Sequence, residues 1–145
     1  MHMIMKFIKF SNPYKKLLLR VLILSLYYRR LISRKPFSEI SWKLGNARRT
    51  TPESDAGIRD YNYVYAVRRA VHAVVPRLKL KNECLVEAFT ARRLLAQRKY
   101  PTTVYMGVAK KEDGGLAAHA WTRCGTCIVT GAEGRERFTV TATFA

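Results

Sequence analysis

Residues 102–124 read TTVYMGVAKKEDGGLAAHAWTRC, and the period of this stretch sets the class of fold. Side chains alternate over 102–109 and again over 116–124, the two-residue repeat of a strand. Lys111–Glu112–Asp113–Gly114–Gly115 between them has the composition of a turn. In the second strand Ala117, His119, Trp121 and Arg123 share one face, and Leu116, Ala118, Ala120 and Thr122 the other. Downstream, Gly125–Thr126 suits a two-residue hairpin turn, 127–130 a short strand, 131–136 a turn, and 138–144 a strand alternating Phe, Val and Ala with Thr.

Upstream the period is helical. Over 60–75, Tyr61, Val64, Tyr65, Val67, Val71, Val74 and Val75 form an apolar stripe that Pro76 ends. Asn82 suits the cap of a second helix over 84–97, with Cys84, Ala88, Ala91 and Leu95 on one face and Pro101 closing the unit. Helices followed by an antiparallel meander predict an α+β fold. Pro36 and the Thr/Pro/Ser/Asn/Asp-rich 45–57 stretch read as a linker, which divides the chain into a basic helical region with its linker, 1–57, and a core, 58–145.

The chain has 145 residues, 48% of them hydrophobic and 11% aromatic, which fits one domain with a buried core and excludes a disordered solvating chain. Twenty-seven Lys and Arg face ten Asp and Glu, a net of +17, and residues 1–50 hold twelve of those cations against Glu39 alone. Such charge favours an anionic partner: nucleic acid, a lipid surface or an acidic protein. The most apolar run, LLLRVLILSLYY over 17–28, is broken by Arg20 and bracketed by basic pairs. A bilayer-spanning helix needs about 20 apolar residues, so this run reads as a helix packed on the domain, with an interfacial helix as the functional alternative. Residues 1–10 mix apolar and basic side chains without a period. Three cysteines, an odd number, favour free thiols in a reducing, cytoplasmic setting.

Cys84 falls in the first turn of its helix, where unpaired N–H groups and the dipole lower a thiol pKa and can hold an oxyanion. His119, on a strand, is placed to exchange a proton with it. His2, in the N-terminal stretch, and His72, in mid-helix, lack that context. On pattern alone a cysteine at a helix start is more often a small buried hydrophobe, and a strand histidine merely a satisfied one.

From about 64 to 144 the chain resembles the lasso-peptide leader peptidases, transglutaminase-like (papain-related) cysteine proteases of ribosomal-peptide biosynthesis. The residues that carry the resemblance are Glu83–Cys84–Leu85, Ala91–Arg92–Arg93–Leu94–Leu95, Tyr100–Pro101–Thr102, Val104–Tyr105–Met106–Gly107–Val108, Ala117–Ala118–His119–Ala120–Trp121 and Arg137–Phe138–Thr139–Val140. The resemblance implies Cys84 as nucleophile, His119 as general base and then acid, and Trp121 beside the site. It implies hydrolysis of the leader–core bond of a precursor peptide through a thioester, with no cofactor and no metal. It also implies two partners, a separate small leader-recognition protein and an ATP-dependent cyclase; nucleic acid is not expected, and peripheral membrane contact is a further expectation. The basic arm over 6–49 is the expected surface for the recognition protein or an acidic leader.

One departure stands out. The family orients its histidine with an Asp on the following strand, and no Asp follows His119 here. That region reads Thr130–Gly131–Ala132–Glu133, which makes Glu133 the nearest acid, with Glu136 behind it. Thr126 or a backbone carbonyl are the alternatives for fixing the ring. Two other functions compete. Cys124 and Cys127 form a CxxC that, with His119 and Cys84, has the composition of a zinc module, although Cys124 has the opposite strand parity to His119. The basic charge with Tyr14, Tyr27, Tyr28, Arg29 and Arg30 suits a nucleic-acid binder without a recognisable motif.

Overall fold

The computed structural model describes Lys9 and residues 11–145, so the rest of the 1–10 stretch, with His2 and with Lys6 of the basic arm, lies outside the described residues. The apolar run becomes the middle of a long helix, α1 (Asn12–Arg34), which starts with a proline in its first turn and stops short of Pro36. A four-residue helix, α2 (Phe37–Ile40), and a 3₁₀ turn (Ser41–Leu44) follow. Helix α3 (Tyr61–Val74) begins at Asp60, whose carboxylate accepts the Asn62 N–H at 3.1 Å. Such a cap is worth about 1 kcal/mol. Pro76 does not end this helix directly. It sits in a 3₁₀ turn (Val75–Leu78) that tightens the last turn before Lys79 enters the left-handed region.

Helix α4 (Glu83–Gln97) leads into β1 (Thr102–Lys110), β2 (Leu116–Cys124), β3 (Cys127–Thr130) and β4 (Thr139–Phe144). The architecture is α+β, with one antiparallel sheet of order β3-β2-β1-β4. The expected meander is corrected at its last step. After β3 the chain crosses back through a 3₁₀ turn (Arg135–Arg137), and β4 pairs with β1. β1, nine residues long, gives β4 a longer edge to pair with than the four-residue β3 could.

Two packed clusters lie between helices and sheet. One joins Leu17, Leu18 and Val21 of α1 to Val64, Val67 and Val71 of α3, Val86, Leu94 and Leu95 of α4, and Cys124, Cys127 and Val129 of the β2–β3 hairpin. The other gathers Tyr28, Ile40, Leu44, Phe89, Val104, Ala120 and Phe144, with the Tyr28 and Phe89 rings stacked at 5.1 Å. Residues on both sides of position 57 therefore share one core.

The 45–57 stretch is a strap over the sheet. The N–H groups of Asn46 and Arg48 donate to the carbonyls of Ala145 (2.7 Å) and Thr143 (2.9 Å), and the Thr51 N–H donates to Thr103 Oγ1 (2.8 Å). Arg123, 4% exposed, points from β2 into this strap. Its guanidinium donates to the carbonyls of Thr51 (2.5 Å), Pro52 (3.0 Å) and Gly125 (2.8 Å) and to the Tyr105 hydroxyl (3.0 Å). The Asp55 carboxylate accepts from the N–H and hydroxyl of Thr126, each at 2.9 Å, and closes the strap over the hairpin turn.

Candidate active site

The start of α4 is a tight entry. Asn82 occupies the cap position in the left-handed region (φ 56°), a conformation that asparagine tolerates better than most residues. Its side chain makes no capping bond. Its carbonyl accepts instead from the N–H groups of Leu85 and Val86, both at 3.0 Å. Cys84, the second residue of the helix, is half-buried against the cluster that contains Ala88, Phe89 and Ala120.

The expected low pKa of this thiol is corrected by its surroundings. Burial pushes the Cys84 thiol up, and the Glu87 carboxyl one turn further on adds to the rise. The backbone N–H groups of Ala120, Leu85 and Cys84 act in the opposite sense without reversing it. Glu87, 7% exposed, is itself raised to about 7 by burial, with Glu83 contributing.

His119 stands on β2, half-buried, with its ring stacked on Trp121 at 5.7 Å and tilted against Phe138 at 5.0 Å. Trp121 stacks in turn on Tyr105 at 5.6 Å. Gly107, opposite His119 in the β1–β2 register, makes room for this aromatic wall. A Cβ there would lie 3.0 Å from that of Phe138 and 3.2 Å from Trp121. The Nε2 atom of His119 lies 2.8 Å from the carbonyl oxygen of Gly131. A carbonyl only accepts, so Nε2 carries the proton, and Nδ1 of the neutral ring is left as the base.

The strand geometry decides how sulfur and imidazole approach each other. Ala120 faces the helices, and His119 and Trp121 face away from them. In an antiparallel ladder the N–H and C=O of one residue point to the same neighbouring strand. A Cβ on Gly131 would lie 2.4 Å from the Ala120 carbonyl oxygen, so the polar backbone of Ala120 points to the β3 side. The β3 pairing reaches no further than Thr130 opposite Thr122, so at Ala120 that edge has no strand partner and Gly131 passes beside it. The Cys84 sulfur meets the Ala120 N–H there from the helix side, and the His119 ring leans to the same edge, toward Gly131, from the other. Among the described residues no hydrogen bond yet joins the sulfur to the ring.

The other expected residues are elsewhere. Glu133 is exposed in the turn after β3, and the His119 contact goes to the Gly131 carbonyl two residues earlier. Thr126 is held by Asp55 and Tyr61 at the hairpin turn beyond Cys124. The zinc arrangement is not assembled. Cys124 and Cys127 are buried with Val129 on the helix side, whereas His119 faces away, and among the described residues no three His, Cys, Asp or Glu side chains gather as a metal site. Burial pushes the Cys124 thiol up to about 12, with Cys127 and Asp55 adding to it. The Gly131 carbonyl, the Ala120 N–H and Glu87 were not singled out in the sequence. Only Gly131 left a trace there, as the glycine standing in the region where an acid is expected.

Residues 28–143 match the family model described as the transglutaminase-like superfamily. No curated protein and no solved structure matches the chain.

Proposed function

Because this chain belongs to the transglutaminase-like superfamily, whose members are generally cysteine peptidases or transglutaminases, we propose that it is a cysteine peptidase that removes the leader from a ribosomally made lasso precursor peptide. Cys84 is the nucleophile and His119 the proton carrier. What supports this reading is a single arrangement: the sulfur of Cys84 lies against the Ala120 N–H, one residue along β2 from His119, whose Nε2 is tied to Gly131 and whose Nδ1 is left as the base.

The thiol is protonated at rest, so the reaction begins with transfer of its proton to Nδ1 as the sulfur attacks the leader–core carbonyl. The N–H of Cys84, at the start of α4, is a donor for the resulting oxyanion. Nδ1–H then protonates the departing amine of the core peptide, and an acyl-thioester of the leader remains on Cys84. Water, deprotonated by Nδ1, attacks the thioester. The leader leaves as a carboxylic acid and the thiol recovers its proton. Through the cycle the Gly131 carbonyl does for the ring what an Asp does in the family's usual arrangement, without supplying charge. A separate leader-recognition protein presents the substrate, and an ATP-dependent cyclase uses the freed core.

The test is mass spectrometry of a candidate precursor incubated with the chain and its recognition partner. Cleavage into leader and core is expected, and so is its loss after thiol alkylation. Cys84→Ala and His119→Ala are each expected to abolish cleavage while circular dichroism and melting temperature stay near those of the parent. Cleavage that survives either substitution overturns the assignment.

A further inference from the structure

Helix α1 buries Leu17, Leu18, Val21 and Tyr28 and leaves an apolar stripe on its other side. Leu19, Ile23, Leu26 and Tyr27 recur at helical spacing there and are between 44% and 58% exposed. Trp42, in the turn after α2, is 70% exposed and extends the stripe. The Lys43 ammonium lies 4.6 Å from the Trp42 ring centre and 6.0 Å from that of Tyr27, so the two aromatic groups form one patch. A chain with a full core of its own has no internal need for such a surface.

The charged residues of α1 itself are all of one sign. Lys16 stands at one end of the same helical face and Arg30 and Arg34 at the other, with Arg20 beside it, all exposed. Lys16 and Arg30 are about 21 Å apart along the helix axis. No acidic residue precedes Glu39. Among the described residues no helix is long and apolar enough to cross a membrane.

We propose that this face seats the protein on an anionic lipid bilayer, with α1 lying in the plane of the headgroups. Leu19, Ile23 and Leu26 enter the acyl boundary. Tyr27 and Trp42 lie at headgroup level, where amphipathic rings favour the interface. The arginines and lysines at the ends of the stripe reach the lipid phosphates on their flexible stems. A helix whose charges are all positive, with Glu39 as the single acid near Trp42, fits a surface that is uniformly negative. A protein partner would be expected to leave some charge of opposite sign or a groove, and α1 is a convex ridge. The inference stands apart from the peptidase reading, because seating on lipid uses neither Cys84 nor His119.

The experiment is co-sedimentation of the full chain with vesicles of phosphatidylcholine alone and of phosphatidylcholine mixed with phosphatidylglycerol. Binding is expected with the anionic vesicles and not with the neutral ones, weakening as salt is raised. The I23E/L26E variant, changed only at exposed positions, is expected to keep its melting temperature and to lose roughly ten-fold or more of its vesicle affinity. Cys84→Ala is expected to bind as the parent does. Three outcomes overturn the proposal: no sedimentation with anionic vesicles; sedimentation that I23E/L26E leaves unchanged, which reduces it to bulk charge; or loss, in I23E/L26E, of binding to the recognition protein with lipid binding intact, which makes the face a protein-docking surface.

Discussion

Gly131 combines two requirements in one residue. Its φ of +69° lies in the left-handed region, and a Cβ would sit 2.4 Å from the Ala120 carbonyl oxygen and 2.8 Å from Cβ of Trp121. That same backbone turn aims its carbonyl at Nε2 of His119. Restoring an acid where the family has one is therefore expected to fail here. Gly131→Asp should lower stability by about 2 kcal/mol or more and abolish cleavage, since the Asp cannot occupy the site without moving β2. Glu133→Ala, in the exposed turn, should leave the cleavage rate unchanged. Thermal melts and the cleavage assay check both, and a Gly131→Asp variant more active than the parent would reverse the account of the ring. The positions of Cys84 in the first turn of a helix and of His119 on a strand were legible in the sequence from local period. The partner of the ring was not, because a carbonyl is present at every residue and only the backbone path selects one.

At the scale of the element, α4 carries Cys84 at its start and a buried carboxyl one turn later. The helix terminus alone predicts an acidic thiol, and burial beside Glu87 wins over it. Glu87 binds its proton more tightly in the folded chain than in the unfolded one. The stability this confers is complete below about pH 4.5 and is lost as pH rises to about 7 and beyond. Glu87→Gln is expected to flatten that decline, with a gain on the order of 2 kcal/mol above neutral pH and little change at acid pH. The same substitution removes a negative charge near the sulfur, so iodoacetamide should alkylate Cys84 faster and with a midpoint at lower pH. Urea melts across the pH range and alkylation rates read out the two effects, and a pH-independent difference in stability would refute the buried-carboxyl account. The strand elements were the best-read part of the sequence. Both 116–124 and 127–130 coincide with β2 and β3, because alternation and a glycine turn leave little freedom. The pairing of β4 was not readable, since alternation fixes which face a side chain takes and not which edge a strand joins.

For the molecule as a whole, the most consequential surprise is the strap. Composition alone marks 45–57 as a linker, and nothing in it announces that a buried arginine 71 and 72 residues away donates to the carbonyls of Pro52 and Thr51. Arg123 has the parity of a face that the hairpin alone would leave open to water, and the strap is what covers it. Arg123→Met is expected to cost about 3 kcal/mol, because it removes the donor to the carbonyls of Thr51, Pro52 and Gly125, the last of them buried. It should also open 45–57 to proteolysis before the rest of the chain unfolds. Limited proteolysis with a melting curve decides this, and a variant as stable and as resistant as the parent would show that the strap is held by other contacts.

The ring stack on β2 has an optical consequence. The chain has two tryptophans, Trp42 exposed beside α1 and Trp121 buried against the imidazole of His119. An imidazolium quenches a neighbouring indole more strongly than neutral imidazole does. With Trp42 changed to Phe, the emission of the remaining fluorophore becomes a direct record of when His119 takes up or gives back its proton.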